Sequence, residues 1–204
     1  MKCIYMGVKR FFDVFISLIA LIVLLPFLVI IGLIIKFTSD GNILYTHRRI
    51  GKGGKIIHVL KFRTMNNDNR PLEQILTKEQ LEEYKSYYKV TNDPRVTRFG
   101  KFLRKTSLDE LPQLINIIKG DMSIVGPRPI IFDELKLYKE NKELFLSVRP
   151  GLTGYWASHG RSDTTYDERI KMELYYVSNI SFLLDIKIIF LTALNVITGK
   201  GAKW

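Results

Sequence analysis

An uninterrupted apolar segment near the N-terminus constrains this chain more than any other feature of its sequence. From Val14 to Ile35 there is no charged residue, and Leu, Ile, Val and Phe dominate. A helix of roughly 20 apolar residues is long enough to cross the hydrocarbon core of a bilayer. The segment is too long for a secretory signal, and no small-x-small cleavage site follows it. The sequence therefore predicts a membrane anchor over residues 1–38 and one further domain over residues 39–204.

Pro26 lies in the middle of this segment, where a proline removes one backbone hydrogen bond and kinks a helix. Basic residues flank the segment on both sides, although positive charge normally marks the cytoplasmic end. They are Lys2, Lys9 and Arg10 before it, and Lys36, Arg48, Arg49, Lys52 and Lys55 after it. The residues leave two interpretations open: a re-entrant helix that returns to the cytoplasmic face, or a kinked helix that spans the membrane. Asp13 is expected to form an interfacial ion pair with Lys9 or Arg10.

An excess of basic residues narrows the choice of partners. Lysine and arginine number 31 against 20 acidic residues, which gives a formal charge of +11. This balance predicts anionic partners, namely nucleic acid, an acidic lipid surface or phosphorylated substrates. The single cysteine, Cys3, excludes an internal disulfide and a thiolate metal cluster within one chain, as expected for a domain that faces the reducing cytoplasm.

The chain beyond the anchor predicts a small β-hairpin and then helices, an α/β fold that is mostly helical. Residues 43–45 and Ile56–Phe62 are typical of short strands, and the glycine-rich turn 51–54 between them indicates a hairpin. Gly120 is expected to end one of the helices. The helices predicted from apolar spacing span residues 72–88, 111–119, 132–146 and 166–176.

The C-terminal stretch 180–197 is strongly apolar but contains Asp185 and Lys187. Two interrupting charges favour an amphipathic helix that lies on the membrane surface over one that crosses the membrane. Burial of this stretch in the core of the domain is the alternative.

Two adjacent carboxylates, Asp109 and Glu110, precede a proline that can begin a helix, Pro112. Main-chain amides oriented at a helix start attract anions such as phosphate. The neighbouring cations Arg104 and Lys105 are expected to keep both carboxylates ionised. An ionised carboxylate can attack phosphorus, and a second can bind Mg²⁺ or accept a proton. Asp109 and Glu110 are therefore candidate catalytic residues.

A structural interpretation competes with this one. Ser107 and Glu110 have the spacing of a capping box, which would give Glu110 a purely local role at a helix start. Pro112 argues against that register because it would fall inside the first turn of such a helix.

Two proline-containing motifs each restrict the backbone around an arginine. Arg128 lies between Pro127 and Pro129, and Arg149 precedes a turn-forming Pro-Gly pair. A guanidinium group matches the geometry of phosphate oxygens, so two immobilised arginines suit a diphosphate. Solvated loop arginines are the alternative.

Lys61 and Arg63 alternate along the second predicted strand and are expected to point to the same face. The sequence contains no GxGxxG or P-loop pattern, and its three histidines lack the spacing of metal ligands. Structural or solvent-exposed roles are therefore expected for His47, His58 and His159.

Several of these motifs occur together, and in the same order, in one known family. The segments are residues 61–65 (KFRTM), 92–97 (NDPRVT), 106–116, 119–129 and 149–154 (RPGLTG). With them the chain resembles the monotopic phosphoglycosyl transferases, also called the bacterial sugar transferase or polyprenyl glycosylphosphotransferase family. The similarity extends from about Lys9 to the C-terminus.

The resemblance implies a monotopic membrane protein with a re-entrant helix kinked at Pro26 and amphipathic helices at the interface. Members of the family usually have Ser-Pro at the break, whereas this chain has Leu25 before Pro26. The resemblance also implies a catalytic domain at the cytoplasmic face of the bacterial inner membrane, in contact with membrane lipids. A second copy of the chain is a further candidate partner, and nucleic acid is not expected.

For the chemistry, the resemblance implies that Asp109 attacks the β-phosphate of a UDP-sugar and releases UMP. The covalent phosphosugar intermediate then passes to undecaprenyl phosphate, which initiates a surface glycan. Glu110 is implied as a Mg²⁺-associated residue or as the base that prepares the acceptor, with Asp109 beside the same metal ion. The cations expected near the phosphates are Lys61, Arg63, Arg104, Arg128 and Arg149.

Residues 65–91 and 154–163 look most like members that transfer galactose or glucose phosphate. Those members often carry WQVSGR where this chain has WASHGR at 156–161. Two alternatives stay open on the sequence. One is the same chemistry on a UDP-N-acetylamino sugar, and the other is a basic, membrane-anchored binding module without catalysis.

Overall fold

The computed structural model describes residues 2–66, 68, 70–87, 90–160 and 164–198 of this chain. Its longest element is helix α1, Lys2–Thr38, which continues without a break through Pro26. Within the described residues, α1 is the one helix long and apolar enough to cross a membrane, judged by length and composition. The predicted long apolar N-terminal helix is confirmed, while its re-entrant path stays a prediction.

One face of α1 lies against the rest of the molecule on both sides of the proline. Before it, Ala20 and Leu24 pack against a core cluster, and after it Ile31 and Ile35 are buried against Phe62. The opposite face is apolar and exposed. It includes Phe11, Phe15, Ile19, Ile22, Val23, Ile30, Leu33 and Phe37. A contiguous exposed apolar surface of this kind is typical of contact with lipid or protein.

Near the start of α1, the ammonium group of Lys9 is buried between two carboxylates. It lies 2.7 Å from Asp185 and 3.7 Å from Asp13. Asp13 also accepts hydrogen bonds from the Ser123 hydroxyl at 2.6 Å and the main-chain amide of Ile124 at 3.1 Å. The predicted pairing of Asp13 with Lys9 is confirmed, but the pair is buried and joins α1 to the domain. We call Lys9, Asp13 and Asp185 the anchor junction.

The predicted hairpin is present. Strands β1, Leu44–Ile50, and β2, Ile56–Phe62, pair antiparallel over their full length. The turn between them contains a short 3-10 segment, Lys52–Gly54, in which Gly53 and Gly54 have φ values of 65° and 80°. These left-handed conformations explain the glycines, since a side chain there would be strained.

A second pair of strands was not predicted from the sequence. Strands β3, Ser123–Val125, and β4, Gly151–Thr153, are parallel and only three residues long. The backbones at Gly126 and Gly151 approach so closely that a Cβ on Gly151 would overlap the amide nitrogen of Gly126. This contact brings the two proline-containing motifs together.

Two predicted helices are broken in the structure. The first is divided into α2, Leu72–Ile75, and α3, Lys78–Tyr87, by a reciprocal cap in which Thr77 and Gln80 each bond the other's main-chain amide. The second predicted helix, 132–146, is divided at Lys139, whose φ of 46° no helix accommodates. Its parts are α6, Phe132–Leu135, a 3-10 segment, Lys136–Asn141, and α7, Lys142–Leu146.

The other helices position the remaining motifs. Helix α5 ends at Gly120 with a φ of 97°, as predicted. Helix α4, which was not predicted, begins at a Thr97 hydroxyl that accepts from the amide of Gly100 at 2.8 Å. The helices are α4, Arg98–Lys105; α5, Gln113–Lys119; α8, Tyr155–His159; α9, Tyr166–Ser178; and α10, Phe182–Thr198.

Helix α10 combines the two interpretations of the C-terminal stretch. Asp185 and Ile188 are buried against the domain. The opposite face exposes large apolar side chains, among them Phe182, Leu183, Phe190 and Ile197. This helix therefore packs one face, including the charged Asp185, against the domain and exposes an apolar surface on the other, and its position on a membrane surface stays a prediction.

Candidate active site

The two candidate carboxylates lie on a short turn between α4 and α5. Ser107 has a left-handed conformation with a φ of 58°, and residues Leu108–Glu110 then form one 3-10 turn. Among the residues that the structure describes, the Ser107 side chain makes no capping hydrogen bond, so the capping-box interpretation is wrong. A left-handed conformation at a residue with a side chain is uncommon and costs free energy, and it often marks a functional site.

Lys61 projects from β2 towards both carboxylates. Its ammonium nitrogen lies 2.6 Å from an oxygen of Glu110 and 3.9 Å from an oxygen of Asp109. The Asp109 side chain is 10% exposed, whereas those of Lys61 and Glu110 are 25% and 26% exposed. We call these three residues the reactive cluster. It is buried enough to strengthen electrostatic interactions and open enough to admit a ligand.

Burial raises the pKa of Asp109 to about 6, because desolvation disfavours its charge more than the cations Lys61 and Arg104 favour it, and Glu110 adds repulsion. Arg104 is held in place by a 2.9 Å hydrogen bond from its Nε to the Thr64 hydroxyl. Lys105 is exposed at the end of α4. Arg104 thus favours the ionised form of Asp109, as expected, but burial outweighs the cations in setting the direction of the pKa shift, and Asp109 is still mostly ionised at neutral pH.

An open cavity, whose empty space including its solvent-filled mouth is about 480 Å³, extends from the reactive cluster. Lys61 and Glu110 line one part of it, and two arginines, Arg49 and Arg128, add positive charge. The other lining residues that matter for its chemistry are His47, Gly126, Gly154, Trp156 and Glu173. Three cations around one cavity suit a ligand with two phosphate groups.

His47 and Arg49 line the cavity but were not predicted to do so from the sequence. The predicted strand stopped at residue 45, whereas β1 continues to Ile50. On the observed strand, His47 and Arg49 share the face of Tyr45, which pairs with Lys61. Burial and then the nearby cations, Arg49 first, lower the pKa of His47 to about 4, so this imidazole is neutral at pH 7.

Behind Arg49, Arg128 and Trp156, which line the cavity, lies a buried network of charged side chains and aromatic rings. Glu134 pairs with Arg49 at 3.3 Å and with Arg169 at 3.2 Å. The indole ring of Trp156 lies 4.8 Å from the Arg169 guanidinium carbon and 5.5 Å from that of Arg128. This network fixes the direction of both cavity arginines, since each is held by a partner that is itself packed.

Two predicted phosphate ligands have other partners. Arg63 donates to the main-chain oxygens of Asn42 at 2.7 Å and Asp40 at 3.4 Å. Arg149 donates to the carbonyl of Gly120 at 2.8 Å and lines a separate, smaller cavity together with Arg10. The structure thus places Lys61 and Arg104 near Asp109. Arg128 lines the cavity that Lys61 and Glu110 also line, whereas Arg63 and Arg149 bond main-chain oxygens elsewhere.

The residues present fit a divalent cation that arrives with its substrate. Among the described residues, no group of three His, Cys, Asp or Glu side chains is placed to hold a metal ion. Magnesium is commonly held by one or two carboxylates together with substrate phosphates and water. Glu110 lines the cavity and Asp109 lies beside it, next to Lys61, which matches that arrangement.

One part of the predicted sugar-recognising segment, Arg161 to Asp163, lies outside the described residues. Within the described part, Trp156 donates from its indole nitrogen to the Thr164 hydroxyl at 2.8 Å, and His159 stacks on Tyr155 with ring centres 4.0 Å apart. Trp156 faces the cavity, whereas His159 packs against its own helix.

Comparison with known proteins gives a consistent result. Residues 4–199 match the family model described as bacterial sugar transferase. The chain is 49% identical over 198 residues to the exopolysaccharide production protein ExoY of Sinorhizobium fredii, covering 95% of this chain and 87% of that protein. It is 43% identical over 198 residues to the undecaprenyl-phosphate galactose phosphotransferase of Salmonella typhimurium, covering 95% of this chain and 41% of that protein. It is 35% identical over 207 residues to the UDP-N-acetylgalactosamine-undecaprenyl-phosphate N-acetylgalactosaminephosphotransferase of Aeromonas hydrophila, covering 98% and 46%. The chain thus spans less than half of the latter two relatives.

Proposed function

Since the chain belongs to the bacterial sugar transferase family, we propose that it transfers a sugar 1-phosphate from a UDP-sugar to undecaprenyl phosphate and releases UMP. The observation that carries this proposal is the reactive cluster, in which Lys61 bridges Asp109 and Glu110 at the edge of a cation-lined cavity. The name of the Salmonella relative supports a galactose donor, and that of the Sinorhizobium relative supports a role in exopolysaccharide production.

In the first step, a carboxylate oxygen of Asp109 attacks the β-phosphorus of the donor. The bond from that phosphorus to the bridging oxygen breaks, and UMP leaves with the electron pair. In the second step, an oxygen of undecaprenyl phosphate attacks the same phosphorus, and the Asp109 carboxylate is the leaving group. The shifted pKa of about 6 supports this role, because the carboxylate is ionised at neutral pH and only weakly solvated.

The other cavity residues hold the donor for these steps. Lys61, Arg49 and Arg128 neutralise the diphosphate, which would otherwise repel the attacking carboxylate. Glu110 is placed beside Asp109 to accept a proton from the acceptor phosphate or to hold a metal ion. Mg²⁺ bound by Asp109 and Glu110 would supply further neutralisation of the diphosphate.

The structure also supports a position at the membrane face. The exposed faces of α1 and α10 are apolar, and the chain carries a formal charge of +11 that favours anionic lipid. Both ends of α1 contact the same domain, through Lys9 at one end and Ile35 at the other. A spanning helix would separate its ends across the bilayer, so these contacts favour a re-entrant anchor. The basic residues on both flanks of the apolar segment favour the cytoplasmic side for the domain.

The topology can be tested with the natural cysteine. Cys3 and a cysteine placed on the exposed Lys101 are expected to react with a membrane-impermeant maleimide in inverted vesicles and to be protected in spheroplasts. A Cys3→Ser variant carrying Lys101→Cys serves as the matched control for the domain. Labelling of Cys3 in spheroplasts, with Lys101→Cys protected, would show a spanning helix and overturn the re-entrant proposal.

The function itself is tested by UMP release from protein in nanodiscs with Mg²⁺ and undecaprenyl phosphate. UDP-galactose and UDP-glucose are expected to react, and UDP-N-acetylgalactosamine and UDP-N-acetylglucosamine to react poorly. Preference for an N-acetylated donor would favour the second candidate, which the Aeromonas relative supports. No release from any UDP-sugar by folded, lipid-supplied protein would contradict the proposal, and salt-dependent nucleic-acid binding would then favour the binding module.

A further inference from the structure

A histidine on the cavity wall is held in one orientation by an arginine. Arg49 donates from Nη2 to Nδ1 of His47 at 3.2 Å, and its Nη1 donates to Glu134 at 3.3 Å. Glu134 is buried and also accepts from the main-chain amide of Ile131 at 2.9 Å and from Arg169 at 3.2 Å. The contacts run from a buried carboxylate through Arg49 to the imidazole, so the ring of His47 is fixed by a side chain that is itself fixed.

This contact determines which nitrogen of the ring carries the proton. A guanidinium group has donors and no acceptor, so Nδ1 of His47 accepts and is unprotonated. Burial and then the nearby cations, Arg49 first, lower the pKa of His47 to about 4, so the ring is neutral at pH 7. The single N–H proton of the neutral ring is therefore on Nε2, and His47 offers a ligand a donor and no acceptor.

The Nε2–H group has no hydrogen-bond partner in the part of the chain that the structure describes. His47 is half-buried and lines the cavity, so a ligand there can supply an acceptor. On the hairpin, His47 lies opposite Val59, and Lys61 is its diagonal neighbour on the same face. Along the sheet, His47 thus lies between Arg49 and Lys61, two of the cations that line the cavity.

The charges around His47 indicate which kind of acceptor it meets. Sugar and ribose hydroxyls both donate and accept, whereas the non-bridging oxygens of a diphosphate only accept. These oxygens are also the atoms that guanidinium and ammonium groups attract most strongly. A neutral N–H adds a directed hydrogen bond without adding positive charge to a cavity already lined by Lys61, Arg49 and Arg128. The position of His47 therefore suits an oxygen of a diphosphate.

We propose that the Nε2–H group of His47 donates a hydrogen bond to a non-bridging oxygen of the diphosphate of the nucleotide-sugar donor. The proposal rests on the proposed function for the identity of the donor. It makes His47 a substrate-binding residue, and it makes Arg49 and Glu134 the residues that position its ring. Arg49 then has two tasks, since the same guanidinium gives the cavity positive charge and orients a neutral neighbour.

The test measures the affinity of the protein in nanodiscs with Mg²⁺ for inorganic pyrophosphate, UDP-galactose and UDP-glucose. The UDP-hexoses are titrated onto the Asp109→Asn chain, in which the donor does not turn over. Addition of His47→Leu is expected to weaken binding of pyrophosphate and of the UDP-hexose by about 10- to 100-fold, as for loss of a hydrogen bond to a charged group.

Two further variants serve as controls for this loss. His47→Gln is expected to stay within a few-fold of the parent, because its amide oxygen can accept from Arg49 while its amide nitrogen donates to the ligand. Tyr45→Leu is the matched control on the same face of β1. It removes a ring whose centre is 5.8 Å from that of His47 but no N–H donor, so both affinities are expected to stay unchanged.

A spectroscopic measurement separates a contact through His47 from an effect on Arg49. The nitrogen NMR signals of His47, assigned by their absence from His47→Gln, are expected to be those of a neutral ring protonated on Nε2. The Nε2–H proton resonance is expected to move downfield when pyrophosphate is added to the wild-type protein. A resonance that does not move would mean that His47 only positions Arg49, and would overturn the proposal whether or not His47→Leu folds.

The binding data have three other decisive outcomes. A loss of affinity for the UDP-hexoses with none for pyrophosphate would place the acceptor on the sugar or the uridine and overturn the proposal. Unchanged affinities in folded His47→Leu would also overturn it. Binding of pyrophosphate through His47 without binding of any UDP-hexose would contradict the proposed function while supporting the contact between His47 and a diphosphate.

Discussion

The molecule contains two clusters in which one lysine lies between two carboxylates at nearly the same distances. In the anchor junction, Lys9 is 2.7 Å from Asp185 and 3.7 Å from Asp13. In the reactive cluster, Lys61 is 2.6 Å from Glu110 and 3.9 Å from Asp109. The arrangement of charge is therefore the same, and the surroundings decide what each cluster does.

The anchor junction is closed. Asp185 accepts from the hydroxyls of Tyr5 at 2.7 Å and Tyr176 at 2.8 Å, and Asp13 accepts from Ser123 and from a main-chain amide. The three charged side chains there are only 7–8% exposed. When the lone pairs of buried carboxylates are used by protein donors, the cluster fixes a packing arrangement and is poorly available for chemistry.

The reactive cluster is open. Lys61 and Glu110 are about a quarter exposed and line the cavity, and Asp109 is more deeply buried behind them. Asp109 is desolvated, yet its neighbours Lys61 and Glu110 line a cavity that can admit a ligand. The comparison indicates that access to a cavity, rather than the presence of a buried ion pair, distinguishes a reactive site from a structural one.

The largest effect is expected from Asp109→Asn. This change keeps the shape and removes the nucleophilic charge, so UMP release should fall by at least about a thousandfold. The melting temperature should hold or rise, because a buried charge is removed. The matched control is Asp133→Asn, at an exposed carboxylate paired with Lys136, which should leave turnover and stability almost unchanged. Near-normal UMP release by Asp109→Asn would end the assignment of the nucleophile.

The reverse pattern is expected from Asp185→Asn. Removing one charge of a buried, hydrogen-bonded pair leaves Lys9 without its closest partner and should cost about 3–5 kcal/mol in the free energy of unfolding. Turnover per folded molecule should stay within a few-fold of the wild type, because the change is at the junction and not in the cavity. Denaturation in detergent measures the first quantity and UMP release the second. A variant that is as stable as the wild type but inactive would reverse the roles of the two clusters.

Local signals explain which parts of the fold could be predicted. The hairpin follows from a glycine-rich turn between apolar runs, and the end of α5 follows from Gly120. The breaks at Thr77 and Lys139 escaped because apolar spacing continues across them while a cap and a left-handed residue interrupt the backbone. The parallel pair of β3 and β4 depends on a close contact between distant segments, which periodicity within either segment cannot show.

The residues of the candidate site also fall into two groups, those that could be predicted from local sequence and those that could not. Asp109, Glu110 and Lys61 lie in short motifs and were identified from their residue types. Glu173 is separated from its partner Arg128 by 45 positions, and Arg49 by 85 positions from Glu134. Such residues look like ordinary charges on amphipathic elements until the fold brings them to one cavity. Arg149 differs from both groups, because its Nε bonds the carbonyl of Gly120 at the end of α5 and its role as a phosphate ligand stays a prediction.

The smallest and most discriminating effect concerns pH. Because the pKa of Asp109 is raised to about 6, kcat/KM should fall about tenfold per unit as pH decreases below 6, since the protonated acid is not a nucleophile.

The same pKa shift has the opposite effect on stability. A carboxyl whose pKa is higher in the folded than in the unfolded state contributes stability below its unfolded pKa of about 3.8, and that contribution is lost as pH rises through about 6. The wild type should therefore become less stable relative to Asp109→Asn between pH 4 and pH 6, over the range in which its activity increases. Stability is measured without Mg²⁺ so that metal binding does not enter. Activity that is flat from pH 5 to pH 7, with no change in the stability difference, would show that Asp109 is ionised throughout and that its neighbouring cations outweigh its burial.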